Sequence, residues 1–200
     1  MNINSSIELE FVSYGTRTTE VPKSAGQFSP KFLSGHDTVL RVASNVNEDD
    51  LDWKSYDHGE TAFRRKELST ATDGDRLGCS LYELDPGKRS WPYHYHTANE
   101  EAMYVLSGTG RVRVDDSEIT VEAGAFLPFP ADESGGHQVV NDGDEPLRYL
   151  MLSTMVEPDV TIYPEMEKFG VYVGSPPGGR EERSLEGFYR PKDDVEYWEE

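Results

Sequence analysis

From Thr61 to Thr154 the chain is a succession of short strand-forming segments, each closed by Gly, Pro, Asn or Asp, with no long helical pattern between them. The segments read T-A-F-R-R-K-E-L, R-L-G-C-S-L-Y-E-L, E-A-M-Y-V-L, T-G-R-V-R-V, E-I-T-V-E, A-F-L-P-F-P, H-Q-V-V-N and L-R-Y-L-M-L-S-T. Their turn chemistry (D-P-G, S-G-T-G, D-G-D-E-P) and close spacing predict an antiparallel all-β sandwich or barrel. Proline in A-F-L-P-F-P cannot donate to a ladder, so that strand belongs at an edge or a bulge. L-R-Y-L-M-L-S-T is the most apolar and should be core. Beyond Glu157, V-T-I-Y-P and F-G-V-Y-V read as two more strands and R-S-L-E-G-F-Y-R as a short extended piece. The final D-D-V-E-Y-W-E-E has the look of a short helix capped by Asp193 or Asp194, with Trp198 as its anchor. Upstream, Trp53 and Tyr56 are three apart, a spacing that fits one helical turn ending near His58.

Within this β pattern, residues 87–108 concentrate metal-ligand chemistry: G-K-R-S-W-P-Y-H-Y-H-T-A-N-E-E-A-M-Y-V-L-S-G. On a strand, residues i and i+2 face the same way, so His94 and His96 project side by side. The next strand puts Glu101, Met103 and Val105 on one face. Two imidazoles and a carboxylate converging from neighbouring strands suit a borderline divalent metal such as Fe(II), Mn, Ni, Cu or Zn. His137, opening H-Q-V-V-N, is a fourth candidate ligand. Tyr93 and Tyr95 fall on the face opposite the histidines, where they would pack on another layer or a second subunit. Of the remaining histidines, His36 and His58 read as loop and turn residues.

Charge narrows the partners. Asp and Glu number 38 against 19 Lys and Arg, a formal net charge of −19. A phosphate field would repel such a surface, which argues against nucleic acid and anionic membranes. With seven lysines against twelve arginines, the composition resembles that of a protein from a high-salt cytoplasm. Cys79 is the single cysteine, so no intrachain disulfide or thiolate cluster is available, and its apolar setting suggests a buried filler. No apolar run approaches ~18 residues and no basic leader with an apolar segment is visible, so a cytoplasmic location is expected.

The residues of the metal-ligand stretch resemble the cupin superfamily. Its first motif (G, five residues, H-x-H, three or four residues, E, six residues, G) is filled by Gly87, His94, His96, Glu101 and Gly108, with six residues after Gly87. The motif's spacing selects Glu101 over Glu100, in agreement with strand alternation. The second motif (G, five residues, P-x-G, two residues, H, three residues, N) is filled by Gly124, Pro130, His137 and Asn141. There Asp132 replaces the glycine, and two extra residues precede His137, with Gly135 and Gly136 available to rebuild the turn. The resemblance covers about residues 76–154. It implies a double-stranded β-helix, the jelly-roll-like barrel of cupins, holding one divalent transition metal through His94, His96, Glu101 and His137. Gly108, Gly124 and Asn141 would be turn residues.

The organisation expected is an N-terminal extension, partly disordered, over residues 1–45, a cupin barrel over 46–157 and a C-terminal extension over 158–200 packed on it. For the far wall of the pocket, Phe129, Arg148 and Tyr149 are candidates. Arg148 would anchor a carboxylate or phosphate if it pointed inward, but a surface role balancing acidic neighbours is favoured. Function is expected to centre on the metal: dioxygenase or isomerase/epimerase chemistry on a small polar metabolite, in a homodimer. The alternative is a non-catalytic binding or storage protein with a structural metal.

Overall fold

The computed structural model describes residues 45–179 and 182–198. They form thirteen strands and no α-helix: β1 (Lys54–His58), β2 (Thr61–Glu67), β3 (Leu77–Leu84), β4 (Tyr95–His96), β5 (Glu101–Ser107), β6 (Thr109–Val114), β7 (Ser117–Glu122), β8 (Phe126–Phe129), β9 (His137–Val140), β10 (Leu147–Thr154), β11 (Asp159–Tyr163), β12 (Lys168–Val173) and β13 (Leu185–Tyr189). A six-stranded sheet runs β1-β2-β3-β10-β5-β8, a four-stranded one β13-β12-β11-β4, and a three-stranded one β7-β6-β9. Pairing within all three sheets is antiparallel, the arrangement of a jelly-roll sandwich. The reading of the N-terminal extension lies, but for Asn45, outside the described residues.

Alternation explains which faces meet. On β5, Met103 and Val105 are buried while Tyr104 and Leu106 face outward; on β10, Leu147 and Tyr149 are buried. They pack with Phe63, Tyr82, Leu84, Val112, Val121, Phe129 and Val139 into one core. Each such aliphatic or aromatic side chain contributes about 1.5–3 kcal/mol by leaving water. β10 lies between β3 and β5, which accounts for its apolar composition. β8 ends the six-stranded sheet, and there Pro128 sits opposite Ala102 without disturbing an inner ladder.

Two local expectations are overturned. Trp53 and Tyr56 do not share a helical turn: a short 3-10 turn at Glu48–Asp50 comes first, and Tyr56 lies in β1. Pairing with β2 puts Tyr56 opposite Phe63, where the rings stack at 4.8 Å, so tertiary packing outweighs local spacing. His58 closes the β1–β2 hairpin beside Gly59, whose φ of 76° favours glycine. At the other end no capped helix forms among the described residues. A 3-10 turn at Pro191–Asp193 is followed by an extended Asp194, and Trp198 is 87% exposed. With Val195, Tyr197 and Trp198 all exposed, the acidic segment lacks the packing that stabilises so short a helix.

Candidate metal centre

His96 ends the two-residue strand β4, and His94 stands just before it as an isolated bridge. His94 exchanges backbone hydrogen bonds with His137 (2.9 and 3.2 Å), and His96 pairs with Thr161 of β11. These pairings gather three imidazoles from two segments, and β5 brings in Glu101 beside them. Candidate ligand atoms of His94, His96 and Glu101 all lie within 4.8 Å of one another, a cluster that could hold a metal ion. Nε2 of His96 is 3.6 Å and Nε2 of His137 3.5 Å from the same Glu101 oxygen. All four residues predicted from the sequence are thus brought together. All three histidines are buried, and Phe129 stacks on His137 at 3.9 Å.

The outer nitrogens are all committed elsewhere. Nδ1 of His94 faces the Pro92 carbonyl at 2.8 Å, that of His137 the Gly135 carbonyl at 2.9 Å, and that of His96 an Asp159 oxygen at 2.6 Å. A carbonyl can only accept, so Nδ1 of His94 and His137 must carry the proton and donate it; the Asp159 carboxylate imposes the same tautomer on His96. In each neutral imidazole the Nε2 lone pair is left free, the state in which imidazole binds a cation. With one carboxylate added, this donor set fits a borderline divalent transition metal. Burial pushes the His94 imidazole well below its ordinary value, helped by repulsion from His137 and His96, and burial lowers His137 as well. Burial also pulls on His96, but the hydrogen bond to Asp159 and the charges of Glu101 and Asp159 outweigh it and raise that group.

The departure in the second motif has a structural explanation. Residues Glu133–Gly135 make a 3-10 turn, and Asp132 caps it by accepting from the Ser134 amide at 2.8 Å. A Cβ at Gly135 would stand 1.9 Å from the Pro130 carbonyl oxygen, and one at Gly136 2.3 Å from the Tyr93 hydroxyl. Gly135 therefore needs glycine, whereas at Gly136 the Tyr93 ring would have to shift, and the tight turn returns His137 to the cluster. Gly108 and Gly124 have φ of 83° and 92°, and the buried Asn141 amide donates to the Leu84 and Glu145 carbonyls.

The histidines and Glu101 line a cavity of about 430 Å³ whose walls also include Tyr56, Arg65, Tyr82, Trp91, Tyr149, Tyr163 and Tyr172. Trp91 therefore contributes to the pocket, where its Nε1 donates to the Tyr82 hydroxyl at 3.0 Å. Tyr93 instead turns away and accepts from the Asp115 amide. Of the far-wall candidates, Tyr149 lines the cavity and Phe129 backs His137, whereas Arg148 reaches outward to Glu48 at 2.7 Å and Glu83 at 3.4 Å. Cys79 is only partly buried and lines the cavity, so it is not a core filler, though burial still raises its thiol. Missed altogether were Asp159, Thr161, Tyr163 and Tyr172 from the C-terminal strands. D-x-T-x-Y on β11 is a period-two polar stripe, which was the signal available. Burial raises the Tyr163 phenol well above its usual range, with Tyr172 adding to the shift, so it stays protonated.

Comparison with known proteins agrees with this fold. Residues 80–153 match the family model described as cupin domain. A candidate sugar phosphate isomerase of Acidithiobacillus ferrooxidans is similar in structure, with TM-score 0.63 and 26% identity over 76% of this chain and 92% of its own. A sugar phosphate isomerase of Silicibacter pomeroyi, from a cupin superfamily, has TM-score 0.64 at 22% identity over 75% of this chain and 94% of its own. No curated protein matches the sequence. Among the described residues, no helix is long and apolar enough to cross a membrane.

Proposed function

The chain is a cupin-superfamily protein, and from that premise we propose that it is a metal-dependent isomerase acting on a small hydroxy-carbonyl metabolite. In this reading His94, His96, Glu101 and His137 hold one divalent transition metal. The observation that carries it is the clustering of His94, His96 and Glu101 within 4.8 Å, with the Nε2 atoms of His96 and His137 at 3.6 and 3.5 Å from one Glu101 oxygen, on the wall of a cavity of about 430 Å³. The likeness to the Acidithiobacillus protein supports sugar-phosphate-like substrates.

A bound divalent ion would act as a Lewis acid on a substrate carbonyl or hydroxyl oxygen. The chain's own part is to position and to move protons. Tyr163 stacks on the His94 ring at 5.7 Å and shares a hydrogen bond with Tyr172, and burial keeps both phenols protonated. They are therefore proton donors toward a substrate oxygen rather than bases, and the proton leaving the carbon beside the carbonyl would pass to the carboxylate of Glu186 on the same cavity wall. The aromatic walls give a sugar ring apolar faces to lie against. The test is proton exchange: metal-loaded protein, hydroxy-carbonyl sugar phosphates and D2O, followed by NMR. Deuterium entering the carbon beside the carbonyl supports the reading; full metal occupancy with no exchange on any aldose or ketose phosphate refutes it.

A further inference from the structure

The cavity contains a buried cation that the metal chemistry does not use. Arg65 on β2 faces inward while its neighbour Arg64 turns outward to Glu83, a direct result of strand alternation. Arg65 is only 9% exposed. Its Nε donates to the Ser80 hydroxyl at 3.1 Å and one Nη2 hydrogen to Glu67 at 2.6 Å. Its guanidinium also lies 5.7 Å from the centre of the Tyr82 ring. A guanidinium has five N–H donors, and these two bonds occupy two of them. Gly178 lies beside Nη2 on the same cavity wall, where a Cβ would stand 3.5 Å from it.

We propose that Arg65 is an anion anchor, taking a carboxylate or phosphate oxygen of a small substrate whose other end meets the histidine cluster. The inference rests on reading this cavity as a substrate site. A guanidinium held rigid by Ser80 and Glu67 presents its remaining donors in a fixed plane, the geometry suited to two oxygens of one anion. Charge in the cavity works the same way. Arg65 and Arg183 face Glu67, Glu101 and Glu186, so a divalent ion on the histidines turns a small negative excess into a small positive one. An anion would thus be attracted into the interior of a chain whose formal net charge is −19. Arg148, the arginine singled out from the sequence, does not line this cavity.

The experiment titrates inorganic phosphate and, separately, acetate into the full-length protein as purified, by calorimetry. Phosphate binding without acetate binding identifies a phosphorylated substrate class, and the reverse a carboxylated one. Arg65→Gln is expected to weaken the preferred anion at least tenfold, Arg65→Lys to recover part of the loss, and Arg148→Gln to bind like the unaltered protein. Equal affinity in Arg65→Gln, an equal loss in Arg148→Gln, or no binding of either anion to the unaltered protein overturns the assignment. Should Arg65→Gln fail to fold, the NMR signal of the Arg65 Nε–H, identified as the one absent from Arg65→Lys, decides: no shift at saturating anion overturns it. Anion binding that persists where deuterium exchange is absent refutes the isomerase reading alone. Exchange with an unaltered KM in Arg65→Gln refutes the anchor alone.

Discussion

Asp159→Asn keeps the shape of a side chain that is fully buried and removes its charge. In the native arrangement one carboxylate oxygen accepts from His96 Nδ1 at 2.6 Å and the other from the Ala98 amide at 3.1 Å. An amide has one acceptor and one NH2, so it cannot satisfy both donors. If its oxygen turns to His96, its NH2 confronts the Ala98 N–H, and a buried unsatisfied donor costs about 1–3 kcal/mol. If its NH2 turns to His96, the imidazole must accept at Nδ1 and carry its proton on Nε2, which closes the lone pair facing Glu101. Either outcome weakens metal binding. Loss of such an outer partner typically costs 10–100-fold in metal affinity. Zinc affinity measured by competition with a chromophoric chelator should fall by that amount, and metal-free melting should drop by several degrees. An affinity within threefold of the unaltered protein, with normal folding, would show that Asp159 does not set the His96 tautomer.

Three further outcomes follow from the same geometry. Glu101→Gln should weaken zinc binding at least tenfold in the same assay, while Glu100→Gln, exposed and before the strand, should not; the reverse would place the register one residue off. Metal-free protein should lose stability on acidification. Unfolded histidines take protons near pH 6.5, whereas His94 and His137 are held neutral in the fold, so stability falls as pH drops below that value. His96, raised instead, is stabilising below ~6.5 and loses that contribution as pH climbs through its folded value, but it is outnumbered. Urea unfolding should therefore weaken by about 2 kcal/mol from pH 7 to 5.5, and a flat or rising profile refutes the argument. Finally, the 38 carboxylates should make melting temperature climb from dilute buffer to molar KCl, as the Debye length shrinks from about 30 Å to about 3 Å. A flat curve removes the case for adaptation to high salt.

Where local chemistry decides, the residues alone were enough. Alternation and turn residues placed β2, β3 and β5 to β12 close to their observed bounds, because strand period and Gly/Pro punctuation act over a few residues. The pairing of His94 with His96, and of Glu101 with Met103 and Val105, needed only the period of two. The second motif's departure was also legible in outline, since Gly135 and Gly136 stood at the turn, though it is the close approach to the Pro130 carbonyl that makes Gly135 necessary. What distance in the chain separates, the sequence left open. Asp159 is 63 residues from His96, and only the β4–β11 pairing brings its carboxylate against that imidazole. Arg65 and Arg148 are equally plausible anchors in one dimension. The ladders β2–β3 and β3–β10 align Arg64 and Arg148 with Glu83, on the face away from the cavity, and the next residue in β2, Arg65, is turned inward. Trp53 and Tyr56 kept a helical spacing that a strand pairing overrode, because stacking on Phe63 in the core outweighs the weak preference of one isolated turn.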